Sequence, residues 1–314
     1  MSLAINEQTS ALSVRVPGKI NLSLRVGNRR RDGYHQLATV FQAVNLYDTI
    51  TVAHSDNDDS TIALEVIGVA ADQLGPAANN LAVRAAQALR LVGGISAGCR
   101  IRLTKAIPVA AGMAGGSADA AGALLGLNAL WNLGIPPEDL LNIAASLGAD
   151  VPFGLMGGCA VGLGRGDLLA PALSRGVCHW VLGIAHQGLS TPAVFHAFDQ
   201  LATDKPATDE PEIDPGLMRA LASGDTQGLA DALTNDLAPA AYKLRPGLRP
   251  VLEQGVRLGA LAGVVSGSGP TIAWLTADAA SATDLALSLS CQGLVDQVRQ
   301  VTGPVAGASF IAAG

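Results

Sequence analysis

A chain of 314 residues, 49% hydrophobic and 15% charged with 37 glycines, is long enough for two cores and has a globular composition. Its net charge of −6 argues against a general nucleic-acid surface, which needs excess Lys and Arg to neutralise phosphates, although a small phosphorylated ligand needs only a few donors. The sequence has no run of about 18 apolar residues that would predict a membrane span and no basic flank followed by an apolar N-terminal segment, so the cytoplasm is the expected compartment.

In chain order, "SVRVPGKINLSLRV" alternates apolar and polar residues on both sides of Pro17-Gly18 and predicts two strands meeting at an irregular turn. "QLATVFQAVNLYDTITVAHS" predicts strand, turn and strand, and "STIALEVIG" a further strand. A helix starts at the capping residues Asn79-Asn80, runs through "LAVRAAQALRLV" and stops at Gly93-Gly94. The strand "CRIRLTKAIP" leads into a glycine-rich loop, after which Ser117 and Asp119 are placed to cap the helix "ADAAGALLGLNALWNL". Another helix begins at Pro136-Pro137 and ends near Gly148, with Asp150 following in "GADVPF". "GGCAVGLGRGD" predicts strand, turn and strand, and "HWVLGIAH" a strand. The polar stretch 201–214 predicts a mobile loop. "LGALAGVVSGSGPTIAWLT" predicts a helix end, a strand, a tight loop and a strand, followed by one more helix and strand. The expected division is 1–165 and 166–314. Cys99, Cys159, Cys178 and Cys291 are far apart with no C-x-x-C pair, so buried reduced thiols are expected rather than a zinc site or disulfides.

The glycines at 112, 115 and 116 would let backbone N–H groups approach an anion at a helix start, although a close helix–sheet packing turn also favours small residues. No Gly-Lys-Ser/Thr closes the loop, and neither G-x-G-x-x-G after a strand nor the distal acidic residue of a dinucleotide fold is found. Lys19, with Asn21 on the same side at i+2, is a cation at a strand break, or a solvated edge lysine. Asp150 is a carboxylate just past a helix, or an N-cap or turn aspartate. Paired in space, Lys19 would keep Asp150 ionised, and the two would suit phosphoryl transfer to an alcohol. Tyr34, His35 and Phe195 could stack on a planar base, with core packing the alternative, above all for Phe195. "SGSGPT" at 266–271 could approach phosphate or simply turn a hairpin.

Taken in order, "PGKINL", "PVAAGMAGGSADAAG", "GADVPF" and "SGSGPT" resemble the conserved segments of the GHMP kinases, which include galactokinase, homoserine kinase and the mevalonate kinases. "RDGYHQLATVFQAV" beside "PGKINLSL" is similar to the branch that acts on a cytidine-diphosphate-bearing methylerythritol. The resemblance implies an α+β, two-domain fold with the active site in the cleft between the domains. It also implies transfer of the ATP γ-phosphate to the 2-hydroxyl of the methylerythritol unit, a step of the non-mevalonate isoprenoid route. Lys19 and Asp150 match the catalytic pair. Asn80, Lys105, Pro108, Val109, Ala110, Ala111, Gly112, Met113, Ala114, Gly115, Gly116 and Ser117 match ATP-binding positions. Asn21, Tyr34, His35, Asp150, Thr191 and Phe195 match substrate contacts, with His35 at the cytosine edge and Phe195 sandwiching the base with Tyr34. His196 stands where some relatives carry Lys, and Ala110, Ala111 and Ala114 stand where others carry Gly, which would stiffen the loop. Mg²⁺ is expected with ATP; no carboxylate is read as its ligand, and Ser117 is the loop's candidate. The implied partner is the small-molecule substrate, with neither nucleic acid nor membrane. The rival readings are another GHMP kinase, acting on homoserine or mevalonate, which would have no use for base-stacking rings, and a catalytically silent ligand sensor, which would not need both Lys19 and Asp150.

Overall fold

The computed structural model describes residues 11–55, 60–69, 76–185, 187–201 and 210–311. Its frame is a pair of long antiparallel strands, β1 (Leu12–Arg29) and β2 (His35–His54). Where the sequence predicts a turn at Pro17-Gly18, β1 runs on: Pro17 faces Tyr47 and Gly18 faces Val44, so the register shifts and both strands bend without ending. A proline lacks the N–H of a regular ladder, and a bulge is the place in a strand that tolerates it. The same bend makes one strand of the predicted strand-turn-strand in β2.

The bent β2 serves two neighbours. Its first half pairs with β5 (Cys159–Gly164) and its second half with β4 (Cys99–Lys105). β3 (Ile62–Gly68) lies parallel to β4, and β6 (Leu168–Pro171) pairs with β5. The short strands β8 (Thr234–Asn235) and β12 (Ser309–Phe310) return from the later chain to pair with β1, completing an eight-stranded sheet. A second, antiparallel sheet of β7 (Cys178–Ile184), β9 (Ala262–Val265), β10 (Ile272–Thr276) and β11 (Gln297–Gly303) has the order β11-β7-β10-β9. The expected division at 165/166 therefore falls in the turn between β5 and β6, both in the larger sheet. The chain first crosses to the smaller sheet between Pro171 and Cys178.

α1 (Leu81–Gly93) is bounded as its sequence predicts, with Asn80 as N-cap and Gly94 in the left-handed conformation at its end. α2 (Gly115–Leu130) lies on β1 and β2, with α1 against it. Gly122 makes the close approach possible, since a Cβ there would stand 2.5 Å from Ile50 Cδ1. Leu124 and Leu127 of α2 are fully buried, worth about 2 kcal/mol each in apolar area removed from water. Ser117 and Asp119 do not cap this helix. It starts earlier, at Gly115, with Ala114 as N-cap and no side-chain cap bond. α3 (Pro137–Leu147) and the short α4 (Val151–Met156) follow.

In the later chain, α5 (Thr191–Leu201) packs on α8 (Ala238–Leu244), α6 (Pro215–Ser223) packs on α7 (Thr226–Ala232), and α9 (Leu248–Arg257) and α10 (Ala279–Cys291) flank the smaller sheet. Of the stretch 201–214, residues 202–209 lie outside the described residues. Cys99, Cys159 and Cys178 are free and buried, and Cys291 is free and exposed. No helix among the described residues is long and apolar enough to cross a membrane.

Candidate active site

Two register shifts, at Pro17/Gly18 and Asn21/Ser23, bracket Lys19–Asn21. Bulges re-aim side chains next to functional sites, and here Lys19 and Asn21 line a cleft of about 840 Å³. Lys19 Nζ stands 3.9 Å from Asp150 Oδ2. It donates to Asn21 Oδ1 at 2.6 Å and lies 5.5 Å from the centre of the Phe41 ring. Asn21 Nδ2 donates to Thr39 Oγ1 at 2.8 Å, and Thr39 Oγ1 donates to the Ser23 carbonyl at 2.6 Å. This chain holds a buried ammonium in one orientation. Burial pushes the Lys19 pKa down and the Asp150 charge opposes the shift. Asp150 occupies the N-cap position of α4 but makes no side-chain cap bond, and its side chain is 35% exposed, so one carboxylate faces the cleft beside a lysine.

The glycine-rich loop forms the adjoining wall: Pro108, Ala110, Ala111, Gly112, Ala114, Gly115, Gly116 and Ser117 all line the cleft. The first-turn amides of α2 have no acceptor within their own helix, and the positive end of its dipole opens on the same space. Gly112 (φ +78°) is required at its position, because a Cβ would lie 2.0 Å from the Ser266 carbonyl; Ser266 Oγ in turn donates to the Gly112 carbonyl at 3.0 Å. The "SGSGPT" segment is thus seated on the loop, and Gly267 and Ser268 reach the cleft. Ala110 (φ 50°) and Ala114 (φ 59°) hold left-handed conformations that disfavour a side chain.

Four residues expected at the ATP site do not line this cleft. Met113 is fully buried, and its carbonyl accepts from the Lys19 amide at 3.2 Å, anchoring the loop to β1. Val109 is half-buried outside the cleft lining. Asn80 Oδ1 is taken up capping α1 through the Ala82 amide at 2.9 Å, while its neighbour Leu81 does reach the cleft. Lys105 is buried between two carboxylates. It donates to Asp48 Oδ2, to Asp119 Oδ2 at 2.6 Å and to the Gly115 carbonyl at 3.2 Å. Asp48 Oδ1 accepts from the Ala106 and Ile107 amides at 2.6 and 2.9 Å. Both ends of the loop are therefore fastened to one buried charge cluster. Asp119 is raised to about 7, first by burial, against the pull of Lys105.

Tyr34, His35, Thr191, Phe195 and His196 also line the cleft. His35 stacks on Phe195 at 5.0 Å and meets Phe198 edge-on at 5.9 Å. The exposed Tyr34 ring lies 5.6 Å from the Arg165 guanidinium. Thr191 Oγ1 and Ser268 Oγ are 2.9 Å apart. Sequence reasoning missed Thr39, Asp199 and Arg165. The legible signal was a charge or hydroxyl at an inward or ring-flanking position, and nothing in the sequence gave its partner. Among the described residues no group of three or more His, Cys, Asp or Glu could hold a metal ion.

An ammonium–carboxylate pair beside an open helix start, in a cleft also lined by aromatic rings, is the layout of a small-molecule kinase. Residues 80–158 match the GHMP kinases N terminal domain and residues 217–294 the GHMP kinases C terminal domain. The chain is 52% identical over 309 residues to a 4-diphosphocytidyl-2-C-methyl-D-erythritol kinase of Mycolicibacterium smegmatis, covering 97% of this chain and 94% of that one. It is 49% identical over 307 residues to the same-named kinase of Mycobacterium tuberculosis, with the same coverage. A solved 4-(cytidine 5'-diphospho)-2C-methyl-D-erythritol kinase superposes with a TM-score of 0.73 at 32% identity, covering 92% of this chain and 98% of that one. A homoserine kinase from Cytophaga hutchinsonii reaches 0.72 at 19% identity, over 99% of this chain and 100% of that one, which shows a shared fold. The chain belongs to the GHMP kinases. Within them, its similarity to the 4-diphosphocytidyl-2-C-methyl-D-erythritol kinases extends over nearly its whole length.

Proposed function

We propose that the protein is an ATP-dependent kinase that phosphorylates the 2-hydroxyl of 4-diphosphocytidyl-2-C-methyl-D-erythritol, releasing ADP, in the non-mevalonate route to isoprenoid precursors. One observation carries this reading: Lys19 and Asp150, 3.9 Å apart, share a cleft with the open end of α2 and with the rings of Tyr34, His35 and Phe195. Homoserine and mevalonate have no base, so the rings favour the cytidine-bearing substrate over them.

In this reading the α2 start and the 108–117 loop hold the ATP phosphates, and the acceptor hydroxyl sits at Asp150. The hydroxyl oxygen bonds to the γ-phosphorus as the bond to the β-phosphate oxygen breaks. Asp150 orients the hydroxyl or takes its proton, and the fixed Lys19 ammonium balances charge where it gathers. Asn21 and Thr39 hold Lys19 in place. Lys105 acts as a positioning residue beneath the loop, away from ATP. Mg²⁺ would enter with ATP, held mainly by phosphate oxygens and water with Ser117 as the loop's donor; such a site needs no dedicated cage, which fits the described residues. When bound it would neutralise phosphate charge. The chain is read as two domains with this cleft between them, the first carrying the loop and the Lys19–Asp150 pair, the second carrying α5.

The test is ADP release with the cytidine substrate beside homoserine and mevalonate. Turnover with the cytidine substrate alone is expected; turnover with only one of the other two would overturn the substrate assignment.

A further inference from the structure

His35 is held on three sides by one face of α5. Phe195, Phe198 and Asp199 stand at i, i+3 and i+4, the spacing that brings side chains together on a helix. Phe195 covers the imidazole face, Phe198 meets it edge-on, and Asp199 Oδ1 lies 2.7 Å from Nε2. Asp199 Oδ2 is also 3.8 Å from an Arg29 guanidinium nitrogen. An ionised carboxylate can only accept, so Nε2 must carry the hydrogen of this bond. In its neutral form the ring then has its lone pair at Nδ1, the single polar atom of the imidazole that Asp199 leaves free. His35 lines the cleft, with its side chain 5% exposed.

We propose that Asp199 is a specificity-determining positioning residue. By fixing His35 with its hydrogen on Nε2, it presents Nδ1 as an acceptor to the base edge and so selects cytosine over uracil. Cytosine offers an amino donor where uracil offers a carbonyl acceptor. An acceptor at Nδ1 pairs with the first and opposes the second. The inference rests on the cytidine-kinase reading above and adds the residue that sets base choice within it.

The experiment compares full-length wild type, Asp199→Ala and Asp199→Asn for binding of cytidine diphosphate and uridine diphosphate by calorimetry, with steady-state kinetics and ¹⁵N spectra of the His35 ring. Wild type should prefer cytidine diphosphate by about tenfold, the value of one well-made buried hydrogen bond. Asp199→Ala should lose most of that preference and raise the KM for the cytidine substrate, while the KM for ATP and kcat stay within about twofold of wild type, as expected for lost uniform binding. The ¹⁵N spectrum should show Nδ1 unprotonated in wild type and a mixture of tautomers in Asp199→Ala. Asp199→Asn, nearly isosteric and so a safeguard for folding, should fall between the two. An Asp199→Ala or Asp199→Asn protein with wild-type base preference and wild-type His35 tautomer overturns this inference alone. Wild type with no preference for cytidine over uridine diphosphate overturns the cytidine-kinase reading itself.

Discussion

Replacing Lys105 by Met separates a structural role from an ATP contact. Lys105 is the shared donor of Asp48 Oδ2, Asp119 Oδ2 and the Gly115 carbonyl, and its side chain is 1% exposed. Methionine keeps the length and removes the charge. Asp48 would retain its two amide donors from Ala106 and Ile107. Asp119 would lose the ammonium at Oδ2, and its Oδ1 is already buried without a partner. Removing one member of a buried ion pair costs about 3–5 kcal/mol, which for a chain of this size corresponds to a fall in Tm on the order of 10 °C. Because Asp119 can take up a proton, the loss should be smaller at pH 5 than at pH 8. Adding Asp119→Asn to the Lys105→Met protein should restore part of the stability, a coupling of about 1–3 kcal/mol in a double-mutant cycle. Thermal unfolding at both pH values, with the KM for ATP measured well below the transition, is the assay. An unchanged Tm with a strongly raised KM for ATP would contradict the structural role and return Lys105 to the ATP site.

Three further outcomes follow from the same geometry. Asp119 stands at about 7 in the folded protein, above its ordinary 3.8, because of burial. The folded state therefore holds a proton that the unfolded chain releases between those values, and wild-type stability falls as pH rises from about 4 to about 7. Asp119→Asn lacks this slope, so denaturant titrations should show its stability relative to wild type rising through that window by at most about 1.4 kcal/mol per pH unit, then levelling off. Ala114→Gly, relieving a left-handed alanine, should be neutral or stabilising by about 1 kcal/mol, whereas Ala111→Gly, at a buried position without positive φ, should destabilise by about 0.5–1 kcal/mol; chemical denaturation distinguishes them. Thr39→Val breaks the link between Asn21 and the Ser23 carbonyl, and should cost about 1–3 kcal/mol of stability with a fall in kcat larger than any change in the KM for ATP; an unchanged kcat would remove Thr39 from the positioning of Lys19.

Most elements are legible because their signals are local. α1 carries Asn80 and Gly94 at its two ends, and β4 alternates buried and exposed residues along its whole length. Pro17-Gly18 misleads because a proline reads as an end of pairing, whereas a bulge on the partner strand lets the ladder resume beyond it. Ser117 and Asp119 are capping residue types, but an uncapped start at Gly115 leaves amides free for the cleft, and Asp119 serves Lys105 instead. The Lys19–Asp150 pair and the rings of Tyr34, His35 and Phe195 come from short segments far apart in sequence, and their meeting is legible only through the resemblance of the ordered set. Lys105 shows the converse: a lysine beside a phosphate loop suggests a nucleotide contact, and only the fold brings Asp48 and Asp119 to it. Asp199 was invisible because its partner, His35, lies 164 positions earlier in the chain.

In the proposed reaction the carboxylate beside Lys19 acts on the acceptor hydroxyl. The most direct test of this role is the single-turnover rate of phosphoryl transfer to 4-diphosphocytidyl-2-C-methyl-D-erythritol by Asp150→Asn, in protein shown by calorimetry to bind both ATP and the acceptor. The rate should fall by about 10²-fold or more with both affinities retained; near-normal transfer by Asp150→Asn with both ligands bound would contradict it.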